Sequence, residues 1–142
     1  VDRKKMSTKS RQGKDALTLW KVRERYGKAT LLDIEIKTGR THQIRVHLSE
    51  RGYPVIGDTV YGNASKLQTI KDAALKAKIK SLQRQALHAA QLAFIHPQSG
   101  ERVVFSAPLP EDLENLRALF RAAAPGYAGE SGLQAWQDQL KG

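Results

Sequence analysis

The sequence predicts a mixed α/β (α+β) fold, with antiparallel hairpins of a mixed sheet flanked by helices. Segments rich in β-branched and aromatic residues come in pairs around short Gly-containing turns, which is typical of hairpins. Other segments carry apolar residues at helical spacing. The chain has 142 residues, of which 40% are hydrophobic and 27% charged. It is therefore long enough for one domain with a hydrophobic core.

The first half of the chain predicts a hairpin followed by a short helix. Residues 1–15 are polar and basic, and we expect a flexible basic arm. Apolar and polar side chains alternate imperfectly along residues 16–24 and more cleanly along residues 29–37. The two segments flank the turn Tyr26-Gly27-Lys28, so they are predicted to pair as strands. The following helix is expected to take Thr41 as its N-cap and to stop at Gly52.

The second half predicts two helices around another hairpin. Residues 65–82 contain strong helix formers and are expected to form one helix, with Leu67, Ile70, Ala74 and Ala77 on its apolar stripe. Residues 88–95 and 101–106 should pair around the turn 96–100. A last helix has Glu111 and Asp112 in its first turn, which favours its dipole, and is stopped by Pro125-Gly126. It is expected to bury Leu113, Leu116, Phe120 and Ala123. Residues 125–142 are expected to be a tail with one weak helical segment at 133–140.

Charge gives the first functional indication. The net charge is +10, and it is concentrated in residues 1–28, with ten basic and three acidic residues, and in residues 66–84, with six and one. Two basic blocks of this kind indicate a surface that faces a polyanion, although a solvated basic surface without a function is the alternative. The absence of cysteine excludes disulfides and thiolate metal sites, and no apolar run is long enough to predict a membrane span. The chain begins without Met, from which we expect that it was cut from a longer one.

The densest polar cluster is TGRTHQIRVH, residues 38–47, at a predicted strand-to-helix junction. A metal site through His42 and His47 is disfavoured, because residues five apart do not share a helix face and no carboxylate joins them. The remaining interpretations are a solvated helix start and an anion or RNA site in which arginine supplies the charge. Spacing alone leaves both of these open.

Four segments in this order resemble the RluA family of RNA pseudouridine synthases. They are TGRTHQIRVHL, GYPVIGDTVYG, RQALHAAQLAFIHPQSGE and FSAPLPEDL, which span residues 38–113. The resemblance implies that residues 1–124 are the C-terminal portion of a catalytic domain, followed by the tail. It also implies an enzyme without cofactor or metal that isomerises uridine to pseudouridine in structured RNA. In such an enzyme an aspartate attacks a flipped-out nucleotide.

The family's aspartate lies in an HRLD motif, and none of the seven aspartates of this chain follows His-Arg-Leu. The resemblance places HRLD, and a Tyr that stacks on the base, upstream of Val1. The chain alone is therefore expected to be inactive. Asp58, in GDTVYG, is expected to be structural.

The resemblance also implies site residues. Arg45 is expected beside the catalytic aspartate, where a guanidinium would keep the carboxylate ionised. Arg40, His42, Gln43 and His47 are expected to orient the loop or to contact RNA, with a buried ion pair as the alternative for Arg40. Leu87 is expected near the uracil pocket, with a place in the core, like that of Leu92 and Phe94, as the alternative. Basic residues expected to reach RNA phosphates include Lys4, Lys5 and Lys78.

The resulting prediction is a cytoplasmic synthase acting on large-subunit (23S-type) ribosomal RNA. The alternatives are a synthase acting on tRNA and a non-catalytic RNA-binding module. We further expect that an exposed sheet edge permits self-association.

Overall fold

The computed structural model of the chain describes residues 4–9, 15–62 and 64–124. Its first sheet contains three antiparallel strands in the order β1-β2-β3: β1 (Lys4–Lys9), β2 (Asp15–Arg25) and β3 (Thr30–Ile36). The predicted hairpin of β2 and β3 is confirmed, with a register shift between Val22 and Glu24. Gly27 adopts a φ of 79° in the connecting turn, a conformation that glycine adopts without strain.

Residues 4–9 differ from the expected flexible arm. They form β1, which pairs along its whole length with β2, from Lys4 opposite Trp20 to Lys9 opposite Asp15. The segment is mostly polar, so it shows no apolar alternation from which a strand could be predicted. Backbone pairing with an existing strand edge holds it instead.

A short helix, α1 (Gln43–Glu50), follows β3 at the predicted position. Its N-cap is His42, without a side-chain cap, so the expectation of Thr41 as N-cap was wrong. His42 has a left-handed φ of 52°, which turns the chain from the strand into the helix. The helix ends before Gly52, as predicted, and this glycine has a φ of 81°.

The single helix expected over 65–82 is two helices, α2 (Ala64–Gln68) and α3 (Ala73–Ser81). Asp72 separates them, because its carboxylate accepts a hydrogen bond from the backbone N–H of Leu75 at 2.8 Å and thereby caps α3. The new helix start also changes the buried face. Leu75 and Ile79 are buried, whereas Ala74 and Ala77 of the predicted stripe are exposed.

The second hairpin consists of β4 (Gln91–Ile95) and β5 (Arg102–Ser106), and α4 (Glu111–Ala123) follows it. The pairing is confirmed, but β4 begins three residues later than predicted. His88 lies before it, with Nε2 3.1 Å from the carbonyl oxygen of Ala107. Leu92 and Phe94 are 61% and 39% exposed, so the alternative that they are core residues is wrong.

The core lies between α3, α4 and the turn after β2. It contains Tyr26, whose ring stacks on Phe120 at 5.4 Å between centroids, and the buried leucines and isoleucine of the two helices. The stripe predicted for α4 is confirmed for Leu113, Leu116 and Phe120, whereas Ala123 is exposed.

One buried carboxylate joins the first sheet to α4. Glu24, 7% exposed, accepts hydrogen bonds from Arg117 at 2.5 Å, from Arg121 at 2.6 Å and from the hydroxyl of Tyr26. Burial opposes ionisation of this carboxyl, but the hydrogen bonds outweigh it and hold its pKa well below the ordinary value.

Candidate functional site

A pocket of about 130 Å³ opens where β3 ends and α1 begins. The C-terminal end of β3, the N-terminal end of α1 and the loop that contains Leu87 meet there. The residues that line it are Ile36, Arg40, His42, Gln43, Ile44, Arg45 and Leu87.

Gln43 fixes the strand-to-helix junction that forms one wall of the pocket. Its side-chain amide donates to the carbonyl of Leu17 at 2.9 Å and to the hydroxyl of Thr18 at 3.0 Å. Its amide oxygen accepts from the hydroxyl of Thr38 at 2.7 Å and from the backbone N–H of Arg40 at 3.1 Å. Because Gln43 is 5% exposed, these bonds satisfy a buried polar group while holding the loop against β2.

His42 forms the rim of the pocket in a strained conformation. Its left-handed backbone is uncommon for a residue with a Cβ, and such strain is often found at functional sites. The exposed ring lies with Nδ1 3.1 Å from the hydroxyl of Tyr61 and edge-on to that ring at 5.7 Å. Tyr61 thereby holds the His42 side chain at the mouth of the pocket.

Arg45 is one of two arginines that line the pocket, and Asp58 orients it. Nε of Arg45 donates to Oδ2 of Asp58 at 2.7 Å and Nη2 donates to Oδ1 at 2.9 Å. Asp58 has no side-chain exposure and also accepts the backbone N–H groups of Val60 and Tyr61, each at 3.0 Å. The arginine carbon Cζ lies 5.0 Å from the centre of the Tyr61 ring. The guanidinium is thus fixed by a forked ion pair and by an aromatic face.

This pairing sets the charge state of both groups. The hydrogen bonds to Asp58 raise the pKa of Arg45, and those from Arg45 hold the pKa of Asp58 well below its usual range despite its burial. Two of the five guanidinium N–H donors serve Asp58, and a guanidinium has three more with which it can bind an anion. The site can therefore hold a second negatively charged group beside Arg45.

Leu87 reaches the pocket because two loops approach each other closely. The backbone N–H of Ala86 donates to the carbonyl of Ile56 at 2.7 Å. Gly57, with a φ of 82°, lies so close to the carbonyl of Arg84 that a Cβ there would collide with it. This approach places the half-buried Leu87 on the apolar side of the pocket.

Most residues predicted from the central motif lie together at this pocket. Arg40, His42, Gln43, Arg45 and Leu87 all line it. Arg40 is exposed, so the alternative of a buried ion pair for it was wrong.

His47 does not lie at the pocket. It is 2% exposed, and its Nδ1 lies 2.7 Å from the hydroxyl of Thr18 in β2. Burial lowers its pKa, which favours the neutral imidazole. The RNA contact expected for His47 is therefore corrected: this side chain attaches α1 to the sheet.

The predicted lysines lie outside the pocket or outside the described residues. Lys78 is half-buried on α3 and does not line the pocket. Lys4 and Lys5 belong to β1, but their side chains lie outside the described part of the structure. The sequence analysis did not identify Tyr61, which contacts both His42 and Arg45. The available signal was its position three residues after Asp58.

Neither a metal cluster nor a membrane-spanning helix occurs in the part of the chain that the structure describes. Among residues 4–9, 15–62 and 64–124, no three His, Asp or Glu side chains come together in a group that could hold a metal ion. No helix in these ranges has the length and apolar character needed to cross a membrane.

Comparison with known proteins relates this chain to a family. Residues 1–50 match the model of the RNA pseudouridylate synthase family. The ribosomal large subunit pseudouridine synthase D of Neisseria meningitidis serogroup A is 44% identical over 142 residues, covering 98% of this chain and 37% of the relative. That of Xanthomonas campestris is 46% identical over 120 residues, covering 84% of this chain and 36% of the relative.

A solved structure agrees with these matches. Human RNA pseudouridylate synthase domain containing 1 has a TM-score of 0.54 and 26% identity, and the similarity covers 88% of this chain and 62% of that one. These matches place the chain among the RNA pseudouridine synthases. Within that class, the chain belongs to the RluA family and is similar to its synthase D members, of whose length it spans little more than a third.

Proposed function

We propose that this chain contributes the arginine side of the active site of a pseudouridine synthase, which isomerises uridine to pseudouridine in large-subunit ribosomal RNA. The observation that carries the proposal is the pocket in which Arg45, oriented by Asp58, lies beside Arg40, His42 and Leu87. The relatives' names indicate ribosomal RNA as the substrate. A tRNA substrate has no comparable support.

In this proposal Arg45 acts through a carboxylate. An aspartate that attacks a nucleotide must be ionised, and a neighbouring guanidinium favours the ionised form. Arg45 has donors beyond those that serve Asp58, so it can bind a second carboxylate without moving. The family's HRLD motif would supply that aspartate, and it is not among these 142 residues.

Each of the other pocket residues has its own role. The exposed Arg40 and His42 contact RNA phosphates near the flipped nucleotide. Leu87 provides an apolar surface against the uracil ring. Gln43 holds the loop on which these side chains lie. Lys4, Lys5 and Lys78 add affinity for the phosphate backbone of the RNA.

A chimera tests the activity. The segment of the Neisseria meningitidis relative that aligns with this chain is replaced by it, and tritium release from ribosomal RNA labelled at C5 of uridine is measured. We expect release from large-subunit ribosomal RNA and little from tRNA. A folded chimera that binds ribosomal RNA and releases no tritium would count against the proposal. So would a preference for tRNA.

The isolated chain provides the complementary measurement. We expect it to bind structured RNA and to release no tritium, because the carboxylate nucleophile is supplied elsewhere. Tritium release by the isolated chain would show that one of its own carboxylates serves as the nucleophile. Binding without turnover in the chimera as well would instead favour a non-catalytic RNA-binding module.

The proposal extends to the cell and the assembly. A synthase of ribosomal RNA would work in the cytoplasm of a bacterium like those of its relatives. We also propose that the chain self-associates through the β4–β5 hairpin, whose strands pair only with each other among the described residues and whose Leu92, Phe94 and Phe105 are exposed.

A further inference from the structure

Two backbone hydrogen bonds fix the conformation of the chain where it leaves the C-terminal end of α1. Gly52 donates to the carbonyl of Ser49 at 3.0 Å, and Tyr53 donates to that of Leu48 at 2.9 Å. With Gly52 at a φ of 81°, these two bonds form a Schellman motif in which Tyr53 is the residue after the glycine. An apolar residue at that position usually packs back on the helix.

Tyr53 instead extends into solvent. Its side chain is 73% exposed, the highest value among the exposed large hydrophobic residues of the described chain. A phenol ring on a rigid backbone loses little conformational entropy when it binds a partner. An aromatic ring presented in this way is suited to stacking.

A cation lies over this ring. Nζ of Lys66, from α2, is 5.3 Å from the centre of the Tyr53 ring, and the same ammonium donates to the carbonyl of Gly52. The exposed charged residues just before Tyr53 in the chain are one acid and one base, Glu50 and Arg51, so Lys66 makes the net charge around the ring positive. An aromatic ring with a cation beside it matches an unpaired base and its phosphate.

We propose that Tyr53 and Lys66 form a second RNA contact, a base-stacking platform for one unpaired nucleotide of the RNA that enters the pocket. The inference rests on the proposed function, since it takes RNA as the ligand. α1 has eight residues and is therefore about 12 Å long, with the pocket at one end and the platform at the other. A nucleotide near the target uridine can span that distance. A protein partner fits less well, because one isolated ring is not a contiguous apolar patch.

The test measures RNA binding of the full chain by fluorescence anisotropy. The probes are a labelled hairpin with an unpaired uridine-rich loop and a fully paired duplex of similar length. Tyr53→Leu removes the ring, Tyr53→Phe keeps it as the matched control, and Lys66→Gln removes the cation. Thermal unfolding of each variant shows that the fold is retained, as expected for so exposed a side chain.

We expect Tyr53→Leu to bind the hairpin at least about five-fold more weakly, with duplex binding unchanged and Tyr53→Phe close to the wild type. Lys66→Gln should weaken binding and reduce its salt dependence. Equal hairpin binding by Tyr53→Leu and the wild type overturns the platform while leaving the proposed function intact. Equal weakening on hairpin and duplex shows that the ring does not stack on an unpaired base, and it also overturns the platform. A wild-type chain that binds neither probe overturns both proposals.

Discussion

At the level of single residues, Arg45 owes its position to Asp58. The sequence motif led to Arg45, but the forked ion pair joins residues 13 apart and follows from the folding of the 57–62 loop over α1. Asp58 was expected to be structural, and its four accepted hydrogen bonds agree with that. The spacing of residues in the sequence could not reveal that Asp58 pairs with Arg45.

This pair predicts strong energetic coupling. Asp58→Asn and Arg45→Met should each destabilise the chain, because each leaves a partly or fully buried partner without its counterion. The double variant should be destabilised by less than the sum, with a coupling free energy of roughly 2 kcal/mol. Urea unfolding of the four proteins measures it. Strictly additive effects would show that the ion pair does not fix Arg45.

Glu24 is the second residue with a clear energetic consequence. The pKa of Glu24 is lowered in the folded chain, so ionisation of Glu24 stabilises the fold at pH values above the ordinary pKa of 4.5. That stabilisation is lost as the pH falls below this value toward the depressed pKa. Glu24→Gln should therefore cost about 3 kcal/mol at neutral pH and show a weaker acid dependence.

Thermal unfolding midpoints between pH 3 and pH 7 test this. Glu35→Gln is the matched control, because Glu35 is 44% exposed in its pair with Lys37 and should change stability little. If both variants lose stability equally at pH 7, the Glu24 cluster is not an important link between the sheet and α4.

At the level of elements, side-chain periodicity predicted both hairpins and the helix α4. It could not predict β1, whose polar residues are held by backbone pairing, or the division between α2 and α3, which depends on one cap at Asp72. The pocket was likewise only half predictable. Its helix wall followed from one motif and Leu87 from the family resemblance, but the approach of Gly57 to residue 84 that brings Leu87 to the pocket has no signal in the residue spacing.

The β4–β5 hairpin carries an element-level prediction. Leu92 lies opposite Phe105 and Phe94 opposite Val103, so these four share one apolar face. We expect the chain to associate as its concentration rises, and Phe105→Glu to reduce that association. Gln98→Glu adds the same charge in the exposed turn between the two strands, on neither face, and is the control. Light scattering that shows a monomer at high concentration would contradict the proposal.

At the level of the whole molecule, further basic charge lies on α3, whose residues do not line the pocket. Lys76, Lys78 and Lys80 occupy every second position of α3, and a segment of like charge is stabilised when an anion binds it.

Changing these three lysines to glutamine should weaken RNA binding and lower its salt dependence. The slope of log K against log salt should fall by about 0.7 to 0.9 for each phosphate that the variant no longer neutralises. Changing the lysines to arginine keeps the charge and should keep the slope. RNA binding measured across a salt series provides the slopes. An unchanged slope in the glutamine variant would place the RNA elsewhere.

The central claim is that Arg45 is the electrostatic partner of the catalytic carboxylate, and the chimera with the Neisseria meningitidis relative tests it most directly. Arg45→Ala should lower the rate of tritium release from labelled ribosomal RNA by about 100-fold or more, with RNA binding nearly unchanged. Arg25→Ala, at the exposed far end of β2, should leave the rate unchanged. An Arg45→Ala chimera that is folded and releases tritium as fast as the Arg25→Ala chimera would contradict the account.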